Sequence, residues 1–319
     1  MTAARTDVVT FGETMGLFAE QAVGRVRSGT PFEFRIGGSE SNVAIGLARL
    51  DCAVCWMGRV GRDTYGDEII RTLRGEGVTV QAHRDPQRPT AMMVKTRPAP
   101  HHQRISYYRS GSAGAAFGPD DVDDECISTA RVLHVSGISL AISPSAAAAV
   151  EHAVAVARAA GTLVSLDVNY RSRLWPRAEA AARLHALLPR VDLLFGNTDE
   201  ARLLTDCTQS RQVTATQLLR LGPGEVVLTG GTGGAAAVTA TGEVATVPAL
   251  AVPVVDTVGA GDAFVAGYLA ARLQGASLDD RLDLAATTGA FACMSEGDWE
   301  GAPTRDELTL IQISEPVER

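Results

Sequence analysis

Apolar positions along the chain follow two rhythms. Residues 8–11 form a short apolar run that ends at Gly12, which predicts a buried strand. Residues 32–36, Phe-Glu-Phe-Arg-Ile, alternate with period two and predict a half-buried strand. Gly37, Gly38 and Ser39 follow, and residues 42–50 then carry apolar side chains at helical spacing. A strand is predicted at 52–57, and a helix at 65–74 closed by Gly75 and Gly77. Residues 90–96 and 104–109 predict two more alternating strands, split by a turn at 97–100. Alternating strands suit a sheet with one open face, so 32–36 and 90–109 predict a small antiparallel sheet.

From about residue 131 the rhythm changes. Strands are predicted at 132–135, 163–166, 193–195 and 226–229, and helices at 145–160, 179–188, 199–204 and 217–221. Such alternation predicts a parallel sheet covered on both faces. Residues 235–238 and 243–247 predict a hairpin around Thr241-Gly242, and the chain from Asp262 reads as helices. The expected class is α/β: a central, mostly parallel sheet between helices, plus a small β-sheet. A length of 319 residues fits two domains, or one large α/β domain with an appendage.

Composition narrows the chemistry. Hydrophobic residues at 45% and charged residues at 21% exclude a disordered chain. A net charge of −8 argues against nucleic-acid and anionic-membrane partners. Lys95 is the only lysine among 29 basic residues. Val94 precedes it, which excludes a GxxxxGK[ST] phosphate loop, and a Schiff base could form only there. Cys52 and Cys55 have CxxC spacing but lie in an apolar run with no second pair, so buried strand cysteines are expected. Five cysteines in a chain of this length suit a reducing compartment. The apolar run at 8–11 is too short for a signal segment, and Glu151, His152 and Arg158 interrupt the alanine-rich 145–160. A cytoplasmic protein is expected. His134 falls on a predicted core strand and is expected to be a satisfied core residue; His101 and His102 are expected in an exposed turn.

The strongest local signal is Asp256-Thr257-Val258-Gly259-Ala260-Gly261-Asp262-Ala263-Phe264. Gly259 and Gly261 would turn backbone N–H groups toward one point at a helix N-terminus, which favours an anion such as a phosphate. Asp262 would sit beside that anion, kept ionised by the helix end and fit to accept a proton from a hydroxyl. The bland alternative is a capping Asp with packing glycines. Phe264 stands where a dinucleotide fingerprint needs Gly, and Phe11-Gly12-Glu13-Thr14 lacks that fingerprint too, which argues against an NAD(P) oxidoreductase. Arg171 follows a strand end, where α/β ligands gather. Glu200 could simply complement a helix dipole, Asp298 could be a turn residue, and Arg109 could be a solvated strand residue.

The 256–264 segment resembles the C-terminal signature of the PfkB (ribokinase-like) carbohydrate kinases. Gly37-Gly38-Ser39-Glu40-Ser41-Asn42-Val43-Ala44 resembles their N-terminal GGxxxNxA signature. The likeness spans nearly the whole chain, including 58–63 and Asn197-Thr198-Asp199-Glu200. Residues 107–114, 134–138, 167–171 and 297–303 are similar to segments of the 2-keto-3-deoxygluconate kinase subgroup.

The resemblance implies one kinase domain over 1–319, with a lid built from segments near 12–36 and 88–112. It implies ATP-dependent phosphorylation of the primary hydroxyl of a 2-keto-3-deoxy sugar acid, with Mg2+ and a monovalent cation, K+, as cofactors. A neutral-sugar kinase of the same family, of fructokinase or ribokinase type, is the alternative; a nucleotide-binding regulator without catalysis is a third reading, opposed by Asp262 and both glycines. By position, Asp262 matches the catalytic base, and Gly259, Ala260 and Gly261 the anion hole. Gly38 and Asn42 match sugar contacts. Tyr107, Arg109, Arg171 and Asp298 match substrate-binding positions. Asn197, Thr229, Gly231 and Gly234 match the nucleotide side, and Glu200 an indirect Mg2+ contact. Asp256 and Val258 match positions that help hold the monovalent cation. Thr229 stands where related sugar-acid kinases often carry Lys, and Met93 where they can carry an aromatic residue. A homo-oligomer joined through the lid is expected, because exposed sheet edges are usually covered.

Overall fold

The protein is described by a computed structural model over residues 6–99 and 102–310. Of the turns expected at 97–100 and at His101 and His102, only Pro100 and His101 lie outside these residues; residues 97–99 and His102 belong to strands instead.

Thirteen strands form two sheets among the described residues. The large one joins β1 (Val8–Phe11), β4 (Val54–Gly61), β5 (Thr79–Asp85), β8 (Val132–Ser136), β9 (Leu163–Asp167), β10 (Leu193–Asn197), β11 (Glu225–Thr229), β12 (Ala235–Thr239) and β13 (Val244–Val247). Its order is β13-β12-β11-β10-β9-β8-β1-β4-β5. Every pairing is parallel from β11 to β5, and the β12–β13 hairpin closes one edge antiparallel.

Alternation along each strand feeds two apolar layers. Val9 and Phe11 point to one side with Leu133, Val164 and Leu194, against α3 (Asp124–Thr129), α4 (Gly137–Ile142), α5 (Pro144–Ala160), α6 (Arg177–Leu187), α7 (Thr198–Leu204) and α8 (Arg211–Leu219). Val8, Val54 and Val132 point to the other, against α1 (Ser39–Arg49), α2 (Thr64–Gly75), α9 (Ala260–Leu273) and α10 (Leu278–Ala292). Helix α5 shows how local sequence sets an element. Ser143 accepts from the Ala146 N–H, Pro144 occupies the first turn, and Gly161 ends the helix at φ 76°. Val150 and Val154 on its inner face are fully buried, each worth about 1.5–3 kcal/mol.

Cys55 is buried on β4, but Cys52 precedes that strand and is half-buried, so only one of the pair is the buried strand cysteine expected. His134 is buried, with Nδ1 at 3.0 Å from Ser165 Oγ on the next strand. Burial pushes its ring down to about 4, so it stays neutral.

The small sheet has the order β3-β2-β6-β7, with β2 (Met15–Glu20), β3 (Phe32–Gly37), β6 (Met92–Ala99) and β7 (His102–Tyr108). It is mixed, not antiparallel as expected: β2 and β6 run parallel. Both strands leave the same end of the large sheet, β2 after β1 and β6 after β5, so they point the same way. The segment 58–63 anchors this sheet. Asp63 caps α2 through the Gly66 N–H and also accepts from Thr90 N and Oγ1, just before β6.

Candidate active site

The strands β1, β8, β9, β10 and β11 all deliver their C-terminal ends to one edge of the large sheet. The chain order reverses about β1, which places a cleft beside the β1 and β8 ends. Ser139, after β8, donates to the Glu40 carboxyl, and both are buried beneath these strand ends.

Helices α1 and α9 lie side by side, with Gly46 against Ala266. Their N-termini meet, because Ser39 and Asn42 of α1 reach Asp262 in the first turn of α9. Two positive helix ends therefore converge on one point. Gly259 begins α9 at φ 75°, and a Cβ there would overlap the Asp298 carbonyl. Only glycine fits that position without strain. Nothing lies within 4 Å of a Cβ built at Gly261, so the first turn faces open space.

The Asp262 carboxylate accepts from Ser39 Oγ and Asn42 Nδ2, each at 2.7 Å. Ser39 Oγ in turn accepts from Asn169 Nδ2 at 2.8 Å, and Asn169 also donates to Asp167 at 3.2 Å. Asn169 takes φ 38°, a left-handed conformation that aims its amide at both. Burial pushes the Asp262 carboxyl above the usual range, while Asn42, Ser39 and the Arg171 guanidinium pull it down. The sequence expectation named the helix end as dominant; burial at the helix junction outweighs it.

Arg171 is exposed and makes no ion pair among the described residues. Its charge acts on Asp167, Glu200 and Asp262 together. Arg109 differs. Its guanidinium lies against the buried Glu13 carboxylate at 2.6 Å and over the Tyr107 ring. Glu13 also accepts from Ser112 Oγ. Tyr107 pairs in register with Met93, so both share the sheet face that bears the buried Met15 and Leu17. Asp298 places its carboxyl against Gly37 and beside Met93 on this face. Burial pushes it up to about 7, against the pull of Lys95.

Gly38 precedes α1, and its N–H meets Asn42 Oδ1 at 3.4 Å; a Cβ there would overlap the Glu13 carbonyl. Asn197 and Thr229 stand side by side at the ends of β10 and β11. Glu200 and Asn197 form a capping box at the start of α7: Glu200 accepts from the Asn197 and Tyr170 N–H groups, at 2.8 Å each. Glu200 is thus a helix cap, and burial raises its carboxyl while the two N–H groups and Arg171 pull it down. Gly231 and Gly234 adopt φ 55° and φ 76° in the loop after β11.

Asp256 accepts from Val258 N–H at 3.2 Å and from Lys95 Nζ at 2.6 Å. A side chain thus stands at the carboxylate that the resemblance gave to a monovalent cation.

The structure therefore gathers Gly38, Asn42, Gly259, Ala260, Gly261, Asp262 and Asp298 at one point, and sets Asn197, Glu200, Thr229, Gly231 and Gly234 along the adjoining strand ends. Sequence reasoning missed Ser39, Asn169, Asp167, Glu13 and Lys95 as members of these networks. It also missed Arg211, whose guanidinium underlies the 230–234 loop and donates to the Gly233 carbonyl. Ser39 and Asn169 lay inside quoted motifs, but only partner distances single them out.

The profile of the pfkB family carbohydrate kinase matches residues 5–305. The chain belongs to the PfkB family of carbohydrate kinases. It is 33% identical over 307 residues to a Bacillus subtilis strain 168 protein named 2-dehydro-3-deoxygluconokinase, covering 95% of this chain and 94% of that one. It is 35% identical over 309 residues to a Thermoproteus tenax protein of the same name, covering 95% and 93%. A putative ribokinase II from E. coli, solved in complex with ATP and Mg2+, superposes with a TM-score of 0.87 at 25% identity, covering 96% of this chain and 98% of that one. The PfkB chain thus has the ribokinase-like α/β fold and is a phosphotransferase acting on a sugar hydroxyl.

Proposed function

We propose that this kinase is an ATP-dependent 2-dehydro-3-deoxygluconokinase, which phosphorylates the primary hydroxyl of a 2-keto-3-deoxy sugar acid. The observation that carries the reading is Asp262, held by Ser39 and Asn42 where two helix N-termini meet, with the unpaired Arg171 acting on it. Two relatives of 33% and 35% identity bear the corresponding name.

Asp262 takes the hydroxyl proton as the phosphoryl group transfers. A loose transition state asks for positioning and charge stabilisation more than for a strong base. The first-turn amides from Gly259 to Asp262 offer donors for the developing charge. Gly38, Asn42 and Asp298 meet the sugar hydroxyls, and Tyr107 covers the sugar from the lid. Arg171 takes the carboxylate, with Arg109 joining from the lid. Asn197, Thr229, Gly231 and Gly234 line the nucleotide side.

The acids Asp167 and Glu200 and the open turn at Gly261 fit Mg-ATP. Mg2+ would be held through phosphate oxygens and water, with Glu200 acting indirectly. No group of three or more His, Cys, Asp or Glu could cage a metal among the described residues. When bound, Mg2+ neutralises phosphate charge.

The neutral-sugar alternative draws on one observation: Glu13 neutralises Arg109. Kinetics of Arg171→Ala separate the two. The variant should lose about 10²–10³ in kcat/KM on the acid, because a buried carboxylate would be stranded. A neutral ketose should lose far less. Equal losses on both would give Arg171 to the phosphates.

The segments near 12–36 and 88–112 act as the lid. Its Tyr108 is exposed and supports a homo-oligomer joined there, while Phe18 and Phe34 pack against Tyr65 of α2. No described helix is long and apolar enough to cross a membrane. Five free cysteines and ATP use support a cytoplasmic location, with no nucleic-acid partner.

A further inference from the structure

We propose that the Lys95 ammonium is a built-in monovalent cation for the Asp256 turn, so that this kinase needs no potassium there. The inference goes beyond the substrate reading and rests on it only for its activity measurement.

The two partners come from distant parts of the chain. Lys95 lies on lid strand β6 and Asp256 in the segment leading to α9. Nζ and Oδ2 are 2.6 Å apart, and each side chain is only 6% exposed. The other oxygen of Asp256 accepts the Val258 N–H at 3.2 Å, which shapes the turn ending at Gly259. The Val255 and Asp256 N–H groups both donate to the Cys293 carbonyl, so the segment is pinned from behind. A carboxylate buried this far needs a cation beside it. Here a covalently tethered ammonium meets that need, at the oxygen left free by the Val258 N–H.

Residue choice supports the same conclusion. The chain uses lysine once among 29 basic residues. That one lysine stands in a buried position, bonded to one Asp256 oxygen, with its charge also felt by Asp298. A compact point charge suits such a place, whereas the planar guanidinium fork would need room and more acceptors. The tether also ties the lid to the turn that opens the anion site. Arg97 of β6 and Glu296 add a second lid-to-core pair nearby, at 2.8 Å.

The test compares KCl, NaCl and tetramethylammonium chloride at constant ionic strength, reading ADP release and the thermal midpoint. The midpoint reads cation binding without substrate, so a wrong substrate assignment would leave it intact. Wild type should show the same midpoint in all three salts, and turnovers within about twofold of one another. Lys95→Ala should lose about tenfold or more in tetramethylammonium, with KCl restoring part of the turnover and raising the midpoint. Should that variant fail to fold, Lys95→Met with Asp256→Asn removes both charges, and its midpoint should be indifferent to KCl. Potassium activation or stabilisation of the wild type would overturn the proposal. So would a folded Lys95→Ala that KCl neither activates nor stabilises.

Discussion

Asn42 Nδ2 donates to Asp262 Oδ2 at 2.7 Å, across 220 residues of sequence. The bond joins the two glycine-rich signatures into one device. One helix carries the proposed base, Asp262, and the other fixes its orientation. Asp262→Asn should keep the fold and ATP binding while kcat falls by about 10²–10⁴, the range for a lost general base. Burial holds the Asp262 carboxyl above the ordinary range, so the acidic limb of the wild-type kcat profile should lie above that of a free aspartate. Near-normal turnover by the Asn variant would return Asp262 to a capping role.

Glu40 offers a stability prediction of unusual sign. It is 1% exposed, and burial pushes it from 4.5 up to about 7. The folded state then binds a proton that the unfolded chain has released between these values. Stability from this group is fully present below about pH 4.5 and is lost as pH rises through about 7, opposite to a salt-bridged carboxylate. Glu40→Gln removes the loss, so between about pH 4.5 and 8 the variant should gain about 3 kcal/mol relative to wild type. Urea melts of both proteins across this interval measure it; parallel profiles would rule the effect out.

The lid makes a prediction about assembly. Phe18 and Phe34 of the lid are covered by Tyr65 of α2, but Tyr108 is 60% exposed. Light scattering at assay concentrations should give at least a dimer. A fully active monomer would show that the lid works uncovered.

The large sheet was legible because parallel strands buried on both faces leave continuous apolar runs. The edge strand β5 was not: Thr79, Gln81 and His83 are solvent-facing, and the apolar signal is diluted. Strand β2 was hidden by Gly16, which interrupts its alternation where the Phe34 ring needs the space. Helix α8 begins at Arg211, six residues before the expected start, because Gln212, Thr214 and Thr216 are polar and tertiary packing decides. At the site, the glycines and Asp262 stood out by spacing. Glu13 and Lys95 did not, since a lone charge in a sequence shows no partner. Only the fold brings Arg109 to Glu13 and Lys95 to Asp256.

The central claim is that the acceptor is a sugar acid. Its most direct test is coupled ADP release by the wild-type protein, with 2-keto-3-deoxygluconate set against fructose and ribose under the same Mg-ATP. The account predicts the higher kcat/KM on the acid, with the phosphate on its primary hydroxyl. A higher kcat/KM on either neutral sugar would contradict it.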